Sequence, residues 1–317
     1  MPRRYKIILL VLLLLAGLYY YTGIMTRTFE KEVAVPYTMQ KTGEQLYQMK
    51  NVVKWYSPFS TYNNLAEKIV GNTLPTATDG HEISILTPTS VSSIIEGAYK
   101  GNKRQFLFTA VTDTNELDAC KIKLHYKCSL LDNWLDKGGL IKEAKKSLEN
   151  LKAYMEDTKQ FYGYTIEETT VADTAFIFRS ATVPLAEKRA ATKELFEQLI
   201  EYSNANNGGY TGARIFYSIP YGKDMTMLFA SIGVSNMIVT KPGEPVQYKR
   251  MPFGKNLLMA TYQGPYKDID KVYLALENFK TDHKLSSMAI PYQKFLSDGY
   301  DFADDQIVQM KVYYPIF

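Results

Sequence analysis

The sequence shows few of the residue patterns that usually support catalysis or metal binding. Its three histidines, His81, His125 and His283, are far apart and match no metal-ligand spacing. The motifs H-E-x-x-H, Walker A, G-x-G-x-x-G and G-x-S-x-G do not occur. His125 lies between Leu124 and Tyr126 in an alternating run, which favours a surface or packing role. We therefore expect no metal, no cofactor and no catalytic residue set of these kinds.

Two cysteines, Cys120 and Cys128, flank the alternating segment KIKLHYK. If this segment is one strand, both cysteines lie on the same face, about 27 Å apart. Bridged cysteines need Cα atoms within about 7 Å. The sequence predicts two free, buried thiols unless a turn intervenes, even if the chain is exported to an oxidising compartment.

Tyrosine is the residue type best suited to recognising a ligand here, because it makes up 25 of 317 residues. Its side chain has a flat apolar body and one polar tip, which suits interfaces and ligand pockets. The length predicts about two domains. Hydrophobic residues at 46% and charged residues at 22% indicate a globular chain. The net charge is only +4 and no basic stripe is visible, so we expect no nucleic-acid partner.

An apolar segment at positions 5–25 contains a single charge, at Lys6. About 20 residues at ~1.5 Å each cross a ~30 Å hydrocarbon core. Tyrosines at 19–21 suit the membrane interface, and the basic residues at 3, 4 and 6 favour a cytoplasmic N-terminus. Residues 1–26 are thus predicted to be the cytoplasmic tip and single-pass anchor in the inner (cytoplasmic) membrane, with the bulk of the chain extracytoplasmic. A cleaved signal peptide is the alternative.

Residues 27–160 show a strand, a helix, several strands and a long helix. A strand is predicted at 29–35 before Pro36, and a helix at 42–53. The runs HEISIL, SSIIEGAY, RQFLFTAV and CKIKLHYK predict an antiparallel meander, and 140–157 predicts an amphipathic helix. This order, with VAVPYTMQKTGEQLYQMKNVVKWYSPF and LENLKAYMEDTKQFYGY, resembles the START-like (SRPBCC, polyketide cyclase-type) helix-grip domains. The resemblance implies an apolar cavity between sheet and helix, and a packed spacer without one is the alternative.

Residues 163–317 contain an internal repeat of β-α-β-β pattern. The first copy has strands at 175–180, 213–219 and 225–234 with a helix at 185–202, broken from its first strand at Pro184. The second has strands at 257–262, 289–296 and 307–315 with a helix at 269–281. We expect Gly264 and Pro265 to end the strand in a tight turn and Asp268 to cap the next helix.

The second copy carries a family resemblance. ATYQGPYKDIDKVYLALENF, IPYQKFLSDG and VQMKVYYPIF are similar to the GyrI-like family, also called the bacterial transcription-activator effector-binding domain. GARIFYSIP and MTMLFASIGV resemble the paired strands of its first repeat. The resemblance implies two SHS2-type β-α-β-β units with a ligand cleft between them. Family members include sensor halves of drug-responsive regulators and stand-alone proteins, some of which hydrolyse small molecules. No helix-turn-helix segment is visible, so the regulator role is not expected to carry over.

Matching the family pattern residue by residue implies a cleft lined by aromatic side chains and one amide. Those residues are Tyr217 and Phe229 from the first copy, and Tyr262, Tyr292, Gln293 and Tyr313 from the second. The family usually has Glu where Gln293 stands, and Gln carries no charge and does not titrate. Recognition of cationic drugs and acid–base chemistry at this position are therefore not expected. Glu277 is a further polar candidate, with solvated surface as the alternative.

Taken together, the sequence predicts an α+β chain with an N-terminal transmembrane helix, a helix-grip antiparallel sheet domain at 27–160 and a duplicated GyrI-like domain at 163–317. The function predicted is a membrane-anchored, extracytoplasmic protein that binds a small hydrophobic or aromatic ligand. The alternatives are a small-molecule hydrolase of the stand-alone type and a non-catalytic cell-envelope interaction module whose protein partner is not specified.

Overall fold

The structure is a computed structural model that describes residues 3–62, 65–77, 80–114, 119–287, 289–296, 299 and 302–316. The chain divides into two compact units, Met1–Asp157 and Thr158–Phe317. One holds a six-stranded sheet and the other an eight-stranded sheet, and the strand pairings in both are antiparallel. The predicted α+β class is confirmed.

The N-terminal apolar segment is helical. Helix α1 (Arg3–Tyr19) continues into a wider helical turn at Tyr20–Ile24. The stretch Ile7–Ile24 is long and apolar enough to cross a membrane, and none of it is buried. Length and composition of this kind fit both a membrane span and a signal sequence.

The first unit places its helices against one six-stranded sheet. Its elements are β1 (Thr26–Val35), α2 (Met39–Tyr47), α3 (Met49–Trp55), β2 (Thr73–Ala77), β3 (His81–Pro88), β4 (Ser92–Tyr99), β5 (Asn102–Thr112), β6 (Cys120–Ser129), α4 (Leu130–Leu135) and α5 (Leu140–Glu156). The strand order across the sheet is β1-β6-β5-β4-β3-β2. The succession of strand, helix, meander and long helix is the one that the sequence predicted.

Two details of this unit differ from the sequence prediction, and a third confirms it. The single helix expected at 42–53 is two helices, because Gln48 adopts extended backbone (φ −104°, ψ 118°) between α2 and α3. Strand β2 was not predicted. Cys120 and Cys128 are both free and buried on β6, as predicted.

Aromatic rings fill the interior of the first unit. Trp55, Phe106 and Phe108 are fully buried, and Trp55 meets Phe108 edge-on with ring centroids 5.4 Å apart. The Trp55 indole donates to the Gln45 carbonyl at 3.2 Å. Buried rings of this size contribute much of a domain's hydrophobic stabilisation.

The second unit is built around an eight-stranded sheet. Its elements are α6 (Thr158–Tyr162), β7 (Ile166–Thr170), β8 (Ala175–Pro184), α7 (Lys188–Ala205), β9 (Tyr210–Tyr221), β10 (Met225–Val234), β11 (Gln247–Arg250), β12 (Asn256–Pro265), α8 (Ile269–Asp282), β13 (Tyr292–Phe295) and β14 (Ile307–Pro315). The strand order is β11-β8-β10-β9-β13-β14-β12-β7. The sets β8-α7-β9-β10 and β12-α8-β13-β14 have the predicted order, whereas the edge strands β7 and β11 were not predicted. That the two sets arose by duplication remains a prediction.

The corner between β12 and α8 differs in place and in cause from the sequence prediction. Strand β12 does not break before Gly264 but pairs with β14 as far as Pro265. A Cβ on Gly264 would lie 2.7 Å from the Tyr262 hydroxyl oxygen, so glycine leaves room for that ring. The Tyr262 hydroxyl in turn donates to the Pro265 carbonyl at 2.5 Å.

The expected cap of α8 is also different. Asp268 occupies the N-cap position, but its side chain makes no capping hydrogen bond. Instead its carboxylate pairs with Lys271 Nζ at 2.8 Å. The prediction that Asp268 caps the helix through its side chain was wrong.

The middle of this sheet is joined by a short ladder. Strands β9 and β13 pair only at Gln293–Phe216 and Lys294–Ile215. Strand β9 nevertheless continues to Tyr221. Helices α7 and α8 share one apolar core with the face that carries Phe216 and Val312. The sheet therefore opens next to Gln293, on the side covered by the helices.

Candidate ligand-binding cleft

A cavity of about 470 Å³ lies where β9 continues past its last residue paired with β13. We call it the seam cleft. Its lining comes from β9, the start and outer face of α8, the start of α7 and the ends of β13 and β14: Lys188, Tyr217, Ser218, Ile219, Pro220, Tyr266, Ile269, Asp270, Tyr273, Leu274, Glu277, Pro291, Gln293 and Tyr314. The volume lies in the range of about 300–1,000 Å³ that is usual for small-molecule sites.

Tyrosine rings form the apolar walls of the seam cleft. The Tyr217 and Tyr273 rings meet edge-on, with centroids 5.9 Å apart and planes at 65°. Tyr273 and Glu277 are one helical turn apart on α8, so both project into the cleft. Burial raises the pKa of Tyr217 and raises that of Tyr273 well above its ordinary value. Both phenols therefore keep their protons at neutral pH and can donate hydrogen bonds.

A buried amide, Gln293, lies beside Tyr266 in the lining of the cleft. Gln293 is only 2% exposed, and its Nε2 donates to the Tyr266 hydroxyl oxygen at 2.9 Å. Burial is the main cause that raises the pKa of Tyr266, so this phenol stays protonated. Having accepted from Gln293, the Tyr266 hydroxyl still carries a proton that it can donate.

The carboxylate of Glu277 lines the cleft with its charge already paired. Its Oε2 accepts from the Tyr314 hydroxyl at 2.5 Å, and its Oε1 lies 2.9 Å from Lys280 Nζ. The hydrogen bonds from Tyr314 and then Lys280 lower the pKa of Glu277. The group is therefore ionised at neutral pH and balanced by a neighbouring ammonium.

A second cavity of about 550 Å³ adjoins the seam cleft and shares Lys188, Tyr266, Ile269 and Asp270 with it. Burial lowers the pKa of Lys188, and the carboxylates of Asp270 and Asp304 oppose that shift. The second carboxylate of the seam cleft, Asp270, thus also has an ammonium group near it. Among the residues that the structure describes, no group of three His, Cys, Asp or Glu could hold a metal ion.

Comparison with known proteins identifies this half of the chain. Residues 164–316 match the family described as GyrI-like small molecule binding domain. This part of the chain is a GyrI-like domain. The resemblance seen in the sequence is thereby confirmed for the second unit. A search of curated proteins gave no match.

Solved structures with similar folds were also found. The chain matches an EcmrR–DNA complex at 15% identity and a TM-score of 0.42, over 60% of this chain and 72% of that one. It matches the EcmrR C-terminal domain at 15% identity and a TM-score of 0.38, over 49% of this chain and 98% of that one. The chain also matches the di-domain ARO/CYC protein BexL from the BE-7585A biosynthetic pathway. The identity is 10% and the TM-score 0.28, over 92% of this chain and 84% of that one. Scores and identities at this level establish no shared function.

Within the GyrI-like domain, the six residues predicted as ligand contacts lie in different places. Tyr217 and Gln293 both line the seam cleft. Tyr292 and Tyr313 stack on each other, with centroids 5.2 Å apart, and line a separate recess of about 130 Å³ beside Lys294. Consecutive residues of a strand face opposite sides of a sheet, so Tyr292 lies on the other face from Gln293.

The remaining two predicted residues have their own settings in the GyrI-like domain. Phe229 is half-buried on β10, where it pairs with Tyr217 and Ser180 of the neighbouring strands. Tyr262 is buried, and its hydroxyl is bonded to the Pro265 carbonyl at the corner before α8.

Sequence reasoning missed several residues that line the seam cleft. Tyr266 belongs to the Gly-Pro-Tyr corner that carried the family resemblance, but it was not assigned a role. Tyr273 was not among the predicted ligand contacts, and Glu277 was a further polar candidate with solvated surface as the alternative. The spacing of Asp270, Tyr273 and Glu277 on one helical face is the signal that could have indicated all three.

Proposed function

We propose that this chain is a membrane-anchored, extracytoplasmic binding protein whose GyrI-like domain takes neutral, planar aromatic compounds in the seam cleft. The observation that carries the proposal is the arrangement of the Tyr217 and Tyr273 rings beside the Gln293 amide, in a cavity of about 470 Å³. The family description, a small-molecule binding domain, supports the same class of function.

A flat guest suits the walls of the cleft. Aromatic pairs prefer edge-on or offset stacked contacts, and such contacts are worth about 0.5–1.5 kcal/mol beyond the area that they bury. The Tyr217–Tyr273 pair presents ring faces and edges of this kind. Leu274 and Ile219 add apolar surface to the same cavity.

The charges of the cleft favour a neutral guest. Glu277 is held by Tyr314 and Lys280, so it offers no unpaired charge to a ligand. Lys188 lies near the carboxylate of Asp270. Burying a cation without a free counter-charge is unfavourable, and Gln293 supplies none where the family usually has Glu.

The Gln293–Tyr266 pair gives the cleft its means of recognition. The Tyr266 hydroxyl accepts from the Gln293 amide and retains its own proton. It can therefore donate to a ring nitrogen or a carbonyl oxygen of the guest. A buried donor that meets its acceptor distinguishes such compounds from plain hydrocarbons.

From the predicted contacts we retain Tyr217 and Gln293 for this cleft and add Tyr266, Tyr273 and Tyr314. Tyr292 and Tyr313 belong to the opposite recess in this proposal. The two β-α-β-β sets are taken as a duplication, which their common element order supports.

The anchor and the location are proposed on separate grounds. The stretch Ile7–Ile24 is helical, apolar and unburied. Basic residues at 3, 4 and 6 precede it, which favours a cytoplasmic N-terminus and export of the rest. The proposed domains remain 1–26, 27–160 and 163–317. The boundary between the last two is supported by the division of the chain into two compact units after Asp157.

Two probes of one shape test the proposed function. Acridine at pH 8 is neutral, and 10-methylacridinium is its permanently charged counterpart. Their fluorescence on titration with the full-length chain in detergent gives both dissociation constants. We expect acridine to bind more tightly than the cation. Tighter binding of the cation would contradict the neutral-guest proposal, and binding of neither probe would favour the cell-envelope interaction module.

Two matched variants locate the binding. Tyr217→Ala removes one wall of the seam cleft and should weaken acridine binding about tenfold. Tyr292→Ala removes a tyrosine from the opposite recess and should leave the dissociation constant unchanged. An equal effect of both variants would place the guest elsewhere.

A charge exchange at the amide gives the sharpest prediction about specificity. Gln293→Glu introduces a carboxylate into a site that is 2% exposed. We expect it to reverse the preference, so that 10-methylacridinium binds at least about tenfold more tightly than acridine. The two titrations on this variant check the result, and an unchanged preference would show that Gln293 does not face the guest.

A further inference from the structure

The first unit exposes a small apolar surface on the short helix α4. Trp134 is 79% exposed, and its neighbours Leu131 and Leu135 are 37% and 48% exposed. The chain has only two tryptophans, and the other, Trp55, is fully buried. The three side chains form one exposed apolar patch, and such patches are found at membrane and protein interaction sites.

This surface lies where the chain leaves the apolar N-terminal helix. Thr26, the first residue of β1, pairs with Ser129, the last residue of β6. Ser129 is also the N-cap of α4, because its side chain accepts from the Asp132 amide at 3.1 Å. Helix α4 packs against the helical turn Tyr20–Ile24. The exposed tryptophan is therefore at the level of the residues that end the apolar segment.

Exposed lysines occupy the same end of the sheet. The hairpin between β4 and β5 carries Lys100 and Lys103. The register of β5 with β6 places this hairpin at the level of Lys127. Lys137 follows α4. A Cβ added to Gly138 would lie 3.3 Å from the Asn102 side chain, so this hairpin sits beside the loop after α4.

The nearby acids are engaged within the unit. Asp132 pairs with Arg104 at 3.0 Å. The Asp136 carboxylate accepts from the backbone amides of Ile141 at 2.9 Å and Lys142 at 2.8 Å, at the start of α5. Glu96 lies 3.9 Å from Lys103, so Lys100, Lys127 and Lys137 carry most of the positive charge that this end of the unit offers to a partner.

We propose that this end of the first unit is a second membrane contact, which binds the interface of an anionic phospholipid bilayer. Trp134, Leu131 and Leu135 enter the boundary between headgroups and acyl chains, and the lysines contact lipid phosphates. Tryptophan is enriched at that depth, and basic residues near the surface are attracted to anionic lipids. The inference rests on the proposed membrane anchoring, because the bilayer is placed by continuity with the apolar helix.

The contact has a geometric consequence. Strand β1 runs from Thr26 at the proposed membrane surface to Val35. The nine residue steps between these two residues span about 30 Å. Cys120 pairs with Val35 on one side and with Thr112 on the other, so Thr112 lies at the same level as Val35. Thr112 is therefore far from the lipid. A second contact holds the sheet of this unit in one orientation to the membrane.

Tryptophan fluorescence tests the proposal directly. The full-length chain is reconstituted into vesicles of phosphatidylcholine and phosphatidylglycerol, with or without bromine on the upper acyl chains, which quenches tryptophan on contact. The emission of the wild-type chain minus that of Trp134→Phe gives the Trp134 signal, because the buried Trp55 is common to both. We expect brominated lipid to remove most of the Trp134 signal, and less of it in vesicles of phosphatidylcholine alone.

The matched control moves the indole to the far end of the sheet. In a Trp134→Phe background, Thr112→Trp places it on exposed surface level with Val35, and brominated lipid should leave this emission unchanged. Flotation of the vesicles after an alkaline wash reports the anchor separately. A chain that floats but whose Trp134 is not quenched overturns the second contact and leaves the anchor standing. A chain that does not float overturns both.

Discussion

Two strand ladders of this molecule, one in each sheet, differ in length, and the shorter one shows how a cleft can form at the end of a ladder. In the first unit, β1 and β6 are joined by an unbroken register of ten residue pairs. In the GyrI-like domain, β9 and β13 are joined by two. The long ladder lies over an interior filled by Trp55, Phe106 and Phe108. The short ladder leaves the seam cleft at its end.

The contrast shows that the cleft comes from an interruption of pairing and not from a loosely packed core. Phe216 pairs with Gln293, and Phe295 follows Lys294 on β13. Both phenylalanines are buried, and their rings stack with centroids 6.4 Å apart. The packed core thus continues up to the last hydrogen-bonded pair. Beyond it, β9 has no partner in β13, and side chains from α8 line the space instead.

The largest effect is expected from opening the filled interior. Trp55→Ala in the first unit should lower the free energy of unfolding of that unit by about 3–5 kcal/mol, because a buried ring is lost and a cavity is left. Chemical denaturation followed by circular dichroism measures this. Acridine binding in the seam cleft should not change. A loss below about 1 kcal/mol would show that the interior adapts and that the contrast with the cleft is overstated.

The converse experiment places a larger side chain in the seam cleft. Leu274 lines the seam cleft and is 61% exposed, so Leu274→Trp adds a ring without disturbing the core. We expect acridine binding to weaken at least about tenfold while the melting temperature stays within about 1 °C of the wild type. Leu296→Trp is the control, because Leu296 is 49% exposed and follows the end of β13. Unchanged binding by Leu274→Trp would contradict the location of the site.

The smallest effect concerns a carboxyl group of the first unit. Burial, followed by the charge of Asp136, raises the pKa of Glu143 on α5 to about 7 from 4.5. The ammonium group of Lys146 opposes the shift, and burial dominates. A raised pKa means that the folded state holds the proton more tightly. The stabilisation is therefore complete below about pH 4.5 and is lost as the pH rises to about 7.

Glu143→Gln should remove this pH dependence. We expect the first unit of the variant to be about 1 kcal/mol more stable than the wild type at pH 8, after allowance for solvent screening, and to show a flatter stability profile between about pH 5 and 7. Thermal unfolding across that range checks the result. Glu149→Gln, which changes an exposed residue on the same helix, should leave the slope as in the wild type. If the stability of Glu143→Gln still falls with pH over this range, another titratable group causes the pH dependence.

Much of the fold was predictable because apolar alternation follows it closely. The bounds of β10 and β14 agree with the sequence prediction, since MTMLFASIGV and IVQMKVYYP carry clear strand patterns. The edge strands β7 and β11 read IEETT and QYKR, which have too few apolar residues to show a period. The break at Gln48 was invisible because α2 and α3 continue one apolar pattern across it.

The site was predictable only in part. Tyr217 and Gln293 were named from the family pattern, and both line the seam cleft. Tyr292 was named beside Gln293, although adjacent strand residues face opposite sides. The contribution of α8 was missed because Tyr273 fits an apolar helical stripe equally well as a core residue, and periodicity cannot distinguish a packed ring from one that borders an open cavity.

A crystal structure of the chain with a bromine-substituted acridine tests the central claim most directly. The anomalous signal of bromine locates the guest without reference to any assumed pose. We predict a bromine peak in the seam cleft, between Tyr273 and Gln293. A peak beside Tyr292 and Tyr313 on the opposite face, or a seam cleft that stays empty while the compound binds in solution, would contradict it.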